Sequence, residues 1–380
     1  MACGQEHLYR LQAKSIGAVQ VNLLIQPEHG VAPLLSGIRG AKKSIQIVVF
    51  RFDRADVEAA LKAAVIRGVA VSALIAYTNR GGEIHLRKLE MRLLEAGVTV
   101  SRTANDLLRY HDKLMIIDRR TLYVMSFNFT HLDIDHSRGF GIVTRDVKLV
   151  QEAIKLYDAD NSRQPYVPAL DSFVVSPVNA RKLLAAFLAK AKKQLFIYDP
   201  QIADPEMQRI LRERAKAGVE IKIIGQVGGR NTGLEIRALA DRRLHTRTII
   251  RDRQHAFVGS QSLRKAELDL RREVGIIIDE VKVVKDLVRT FKADWEKKAS
   301  EDKSHANPKI PKKAVKALVK ELSPLNPIVE EAVKQVAAEA NSANLDPELM
   351  KATVKEAVKE AVKERVKQMV KESLELPKPK

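Results

Sequence analysis

The chain has 380 residues, 45% of them hydrophobic, long and apolar enough to bury the cores of two domains or of one large duplicated unit. Its net charge of +19 points to an anionic substrate or partner, nucleic acid or acidic lipid headgroups, without choosing between them. The single cysteine, Cys3, excludes an intramolecular disulfide and fits a reducing compartment. Residues 1–20 lack an apolar signal core and no run reaches the ~18 apolar residues of a membrane span, so the expectation is a cytoplasmic protein, soluble or peripheral on an anionic membrane.

Residues 21–76 alternate strand and helix signals. Strands are expected over 21–25, 44–52 and 69–75, and helices over 31–40 and 56–67, the second ended by Gly68. A further helix over 83–96 stops at Gly97, and a short strand over 98–102 follows. This alternation argues for a sheet covered by helices.

At His111 the pattern becomes a hairpin: a strand, a tight turn at Arg119 and Arg120, and a return strand carrying Ser126 and Asn128. Alternate strand residues share a face, so His111 and Lys113 are expected to point one way while Leu114 and Ile116 pack. A histidine beside a fixed cation suits a phosphate, because a ring nitrogen can attack or donate while the charge holds oxygens. Ser126 and Asn128 add neutral donors. Residues 138–145 then read as a strand and 147–160 as an amphipathic helix.

The hairpin returns. His245, Arg247 and Asp252 repeat the spacing of His111, Lys113 and Asp118, and Gly259, Ser260 and Ser262 fall where Met125, Ser126 and Asn128 fall. Upstream, Pro27 and Pro177, Leu61 and Leu211, and Gly68 and Gly218 match at a separation of 150. By the histidines the separation is 134, so the second half is expected to lack about one helix between Ile224 and His245. The repeat divides the chain into halves over 1–165 and 166–298. Gly225, Gly228 and Gly229 lack the Gly-Lys-Ser/Thr ending of a phosphate loop and read as a mobile loop near the site. Nothing has metal-ligand spacing, and no metal or other cofactor is expected.

Residues 299–380 change character. A charged linker with prolines over 303–313 leads to helices over 314–322 and 328–340, then to a helix starting near Asp346. That last helix repeats Val-Lys-Glu-Ala-like units from Val354, giving a Val stripe and Glu–Lys pairs. It reads as a solvated helix lying on the body or on a partner; attachment of its Lys row to an anionic membrane or nucleic acid is the alternative.

The twice-repeated His-x-Lys/Arg-(x)4-Asp pattern, with the serine and Asn128 or Ser262 that follow, resembles the phospholipase D superfamily over about residues 20–298. The resemblance implies a duplicated α/β fold of two similar mixed-sheet halves with flanking helices, whose histidine strands meet at a pseudo-twofold axis. It also implies phosphodiester chemistry through a phosphohistidine. One imidazole attacks phosphorus, and the other protonates the leaving oxygen and then deprotonates water or an alcohol. Lys113 and Arg247 would hold non-bridging oxygens. Asp118 and Asp252 enter as motif residues, although capping the turn after each strand is a second reading. Ser126, Asn128, Ser260 and Ser262 would support the phosphate.

The pattern is broken in four places. Met125 stands for the first glycine, Arg247 for the second lysine and Ser262 for the second asparagine, and Gly139 occupies the place matching Glu273. Glu273 is therefore expected to orient His245, leaving His111 to borrow Asp133 or Asp135. His111, with the more regular neighbours, is the expected nucleophile. His131, His136 and His255 are expected at the surface or behind the site. The expected substrate is a phospholipid, hydrolysed or exchanged at a phosphodiester bond. The alternatives are a metal-independent nuclease acting on DNA or RNA and a degenerate anion-binding scaffold.

Overall fold

The structure, a computed structural model, describes residues 21–77, 83–229 and 234–297; the expectations for the tail over 299–380 lie outside them. The first half begins β1 (Val21–Gln26), α1 (Ala32–Gly40), β2 (Ser44–Val49), α2 (Ala55–Ile66) and β3 (Ala70–Ile75). It continues with α3 (Glu83–Glu95), β4 (Thr99–Arg102), β5 (Arg109–Tyr110), β6 (Leu114–Ile117) and β7 (Thr121–Met125). It closes with α4 (His131–Asp135), β8 (Ser137–Thr144) and α5 (Val147–Ser162). The second half runs β9 (Phe173–Ser176), α6 (Ala180–Ala189), β10 (Gln194–Ile202), α7 (Pro205–Lys216), β11 (Glu220–Val227) and β12 (Glu235–Arg237). Then come β13 (Arg243–Leu244), β14 (Arg247–Arg251), β15 (His255–Gly259), α8 (Lys265–Asp269), β16 (Arg271–Ile278) and α9 (Val281–Glu296).

The expected duplication is present as two mixed sheets with the same order, β1-β8-β7-β6-β2-β3-β4 and β9-β16-β15-β14-β10-β11-β12. The described residues of the second half have no counterpart of α3, and β12 beside β11 takes the place that β4 has beside β3. Strand alternation builds three cores. Along β6, Leu114 and Ile116 join a core shared by both sheets and by α5 and α9, while Met115 and Ile117 face α1, α2 and α3. The outer face of the second sheet packs on α6 and α7. Burying both faces of both sheets gives their strands near-continuous apolar runs.

Two very short strands cross between the halves. β5, from the first half, pairs in parallel with β16, and β13, from the second, pairs in parallel with β8. Each ends one residue before a motif histidine. The expected strand therefore starts at Leu114 and not at His111. The His111 N–H donates to the Arg272 carbonyl at 2.8 Å, and the His245 N–H to the Arg138 carbonyl at 3.1 Å, so each histidine is held by the other half's sheet.

The glycines at 225–229 do not form the expected loop as a whole, because β11 continues through Gly225 to Val227. Gly225 has φ +147° and lies so close to Asp199 that a Cβ would fall 1.7 Å from its carbonyl oxygen.

Candidate active site

The crossings put the two histidines into one buried centre. His111 is 8% and His245 7% exposed, and Lys113, Arg247, Asp133 and Glu273 surround them closely enough to act on one another's charge. Both cations adopt the same pose. Lys113 Nζ donates to the His111 carbonyl, and Arg247 Nη1 donates to the His245 carbonyl at 2.7 Å. Arg247 also donates from Nε to Ser262 Oγ at 3.1 Å, so the two departures from the family pattern in this half satisfy each other.

The carboxylates are exchanged relative to the sequence expectation. Glu273 bonds His111, with both Oε1 and Oε2 at 2.9 Å from Nδ1. His245 is instead approached by Asp133, whose Oδ2 lies 3.5 Å from Nδ1, long for a hydrogen bond. Asp133 is already engaged: it accepts from Asn128 N at 2.9 Å, from Asn128 Nδ2 at 2.6 Å and from Arg243 at 2.6 Å. Asp135 takes no part here and pairs with Arg54 and His131. The reason is topological. Glu273 sits on β16, the strand onto which β5 delivers His111, whereas His245 arrives on β8 beside α4.

Burial drives the first pair toward neutrality. It lowers the His111 pKa well below the ordinary histidine value, with Lys113, Arg247, Arg271 and Arg109 adding to it. It pushes Glu273 up to about 8 against the pull of Lys113 and Arg271. Wherever the shared proton rests, positive charge gained by the His111 ring would face a basic carboxylate. Burial also lowers His245, opposed by Asp133. Burial alone would raise Asp133, but His245, Arg243 and Asn128 hold it below its ordinary value. Lys113 falls to about 8, again chiefly from burial.

Other predicted residues bond the backbone of the sheets. Asp118 and Asp252 follow the far ends of β6 and β14, on turns with positive φ. The Asp118 carboxylate accepts from the N–H groups of Lys42, Lys43 and Ser44 at 2.6–3.1 Å, and Asp252 does the same for Lys192, Lys193 and Gln194. These aspartates clamp strand starts, as the capping reading has it. Ser126 Oγ accepts from Phe140 N at 2.9 Å and Ser260 Oγ from Val274 N at 3.1 Å, locking β7 to β8 and β15 to β16. Met125 is buried opposite Gly141 in the first-half core, so the lost glycine is absorbed by packing. His131 is exposed.

Sequence reasoning did not single out Phe50. Its ring meets His111 edge-on at 4.6 Å, with Arg109 at 5.2 Å from its centre and Arg51 at 5.7 Å. A narrow cavity opens beside Lys113 between Phe50, Arg51, Phe127, Asn128 and Phe129. Among the described residues no group of three His, Cys, Asp or Glu side chains could hold a metal, and no helix is long and apolar enough to cross a membrane.

This two-histidine centre, built by duplicated mixed sheets, defines a phosphodiester-handling fold. The sequence matches the family model described as cardiolipin synthase, PLD-like domain, over residues 34–160 and 184–295, and the chain belongs to the phospholipase D superfamily, whose members are phosphodiester-acting enzymes. Among solved structures it is similar to a phosphatidylserine synthase from Haemophilus influenzae Rd KW20, with 12% identity, a TM-score of 0.60, and 81% of this chain and 94% of the synthase covered. It is also similar to a polyphosphate kinase from Porphyromonas gingivalis, with 17% identity and a TM-score of 0.60 over 72% of this chain. It covers 46% of that kinase, less than half its length. A phospholipase D family member, Nuc from Salmonella typhimurium, aligns at 26% identity over 40% of this chain and 100% of its own, with a TM-score of 0.36. No curated protein matches the sequence.

Proposed function

We propose that the chain cleaves or exchanges phosphodiester bonds of phospholipids through a phosphohistidine on His111. The observation that carries this reading is the two-oxygen grip of Glu273 on His111 Nδ1, which fixes the ring and leaves Nε2 to attack. In the first step Nε2 bonds phosphorus and the bond to the leaving alkoxide breaks, with His245 giving that oxygen its proton. In the second step His245 takes a proton from water or an alcohol, whose oxygen bonds phosphorus as the P–N bond breaks. The looser hold of Asp133 suits a ring that must gain and lose a proton. Lys113 and Arg247 stabilise charge on the non-bridging oxygens.

Lipid is favoured as substrate by the cardiolipin synthase description of the matching family model. A nuclease is the second reading, favoured by the net charge of +19. Purified chain would be given phosphatidylglycerol vesicles and, separately, single-stranded DNA, both with excess EDTA. The lipid reading expects headgroup release that depends on His111 and His245, and it fails if only the DNA is cut.

A further inference from the structure

The two crossings are built alike but charged differently. Arg138 and Arg272 occupy equivalent places, and each reaches across to the helix that closes the other half. Arg138 donates to Asp294 at 2.7 and 2.9 Å and to Glu28 at 2.5 and 3.0 Å. The Glu28 side chain is 46% exposed, so water carries part of its charge.

The crossing that delivers His111 has no such outlet. Arg272 donates to Asp160, the counterpart of Asp294, at 2.9 Å and to the Ser176 carbonyl at 3.1 Å. The second carboxyl there is Asp112, 1% exposed, between His111 and Lys113. Among the described residues, Asp112 Oδ1 and Arg272 Nε are both buried without a hydrogen-bond partner. The residue equivalent to Asp112 is Thr246, whose hydroxyl lies 2.9 Å from that of Thr248.

Two buried carboxyls thus lie in the field of one guanidinium, which bonds Asp160 and acts on Asp112 through charge alone. Lys113, the next cation, has its Nζ turned to the His111 carbonyl, and beyond Asp160 lies Asp106, bonded to the Tyr110 hydroxyl. A second buried negative charge would be uncompensated, so the pair retains a proton. In keeping with this, burial pushes Asp112 up to about 7, Asp160 adding to it, and pushes Asp160 to about 6 against the pull of Arg272.

We infer that Asp112 is a positioning residue for His111: a proton held between Asp112 and Asp160 keeps β5 closed on Arg272, and loss of that proton loosens the joint that carries the nucleophile. The inference rests on the reading of His111 as nucleophile. Mechanically the link is short, since Asp112 follows His111, whose own N–H is bonded to the Arg272 carbonyl.

The test is single-turnover release of p-nitrophenolate from bis-p-nitrophenyl phosphate across neutral pH, for wild type, Asp112→Asn and Asp112→Thr. Nitrophenolate leaves without a proton, so the rate reports the nucleophile's side of the site. The wild-type rate should decline as pH rises through about 7. Asparagine copies the protonated carboxyl and threonine copies the other half. Both should stay within about two-fold of wild type below the decline and be several-fold faster above it. A merely electrostatic neighbour would act in reverse, because removing negative charge lowers the Lys113 pKa and moves the decline toward acid; that result overturns the proposal. So does a wild type that shows no decline, a readout that needs no variant to fold. Mapping the phosphorylated peptide separates the two layers. Phosphate on His245 overturns the nucleophile assignment, while phosphate on His111 with an unchanged decline in both variants overturns the role of Asp112 alone.

Discussion

Glu273 closes on a histidine 162 residues earlier in the chain, both of its carboxylate oxygens 2.9 Å from Nδ1 of His111. The histidine of one half is thus bonded by an acid of the other, and neither half holds the whole two-histidine centre. Replacing Glu273 with Gln keeps the shape but removes the charge that faces the imidazolium. The kcat of Glu273→Gln should fall by about 10²–10⁴-fold with KM little changed. Steady-state kinetics on bis-p-nitrophenyl phosphate measure this, and an unchanged kcat would refute the pairing's role.

Asp133 does two jobs, capping the backbone at Asn128 and facing His245. Asp133→Asn should lower the melting temperature, since a buried carboxylate bonded to Arg243 is lost at a cost of about 1–3 kcal/mol. It should also slow substrates in proportion to how badly their leaving group needs a proton. Rates on alkyl and nitrophenyl phosphodiesters, compared in one variant, check this: the alkyl ester should lose more.

For Asp118 and Asp252 the expectation is stability without catalysis. Asp118→Asn and Asp252→Asn should each cost about 1 kcal/mol, in line with other lost caps, and leave kcat near wild type. Burial pushes both carboxyls up, but the backbone N–H groups they accept from hold them below their ordinary pKa. A depressed folded pKa gives stability that is complete above the unfolded value near ~4 and is lost as pH falls below it. Denaturant melts should therefore separate wild type from variant at neutral pH and bring them together in strong acid.

Gly259 pairs with Gly275 on β15 and β16, and a Cβ on it would lie 2.6–2.7 Å from Gln261, Gly275 and Phe257 atoms. Gly141 faces Met125 in the first half as Gly275 faces Gly259, but the ring that crowds both glycines in the second half, Phe257, is matched in the first by Tyr123, which lies against Gly37 and leaves room for Met125. Gly259→Ala should destabilise by about 1–3 kcal/mol through overpacking. A thermal melt unchanged from wild type would contradict that packing account.

Much of this arrangement is written in the sequence. The repeated histidine, cation and aspartate spacing locates both hairpins, and the shrinking offset locates the missing helix before His245. The carboxylate partners are not legible in the same way. Glu273 follows His245 by 28 residues, as an orienting acid for that histidine should, yet it serves His111. The exchange is made by β5 and β13, each two residues long, and such strands carry no periodicity to read. The positions equivalent to Arg138 and Asp160, namely Arg272 and Asp294, do hold the same residue types, and that match was a signal available in the sequence.

The central claim is tested most directly by quenching the enzyme in alkaline detergent during turnover of a labelled phosphodiester in excess EDTA and mapping the label, for wild type, His111→Asn and His245→Asn. The account predicts an acid-labile phosphohistidine on His111 in wild type, none in His111→Asn, and with a good leaving group a longer-lived one in His245→Asn, where water lacks its base. Turnover that survives His111→Asn, or label that maps away from both histidines, would contradict it.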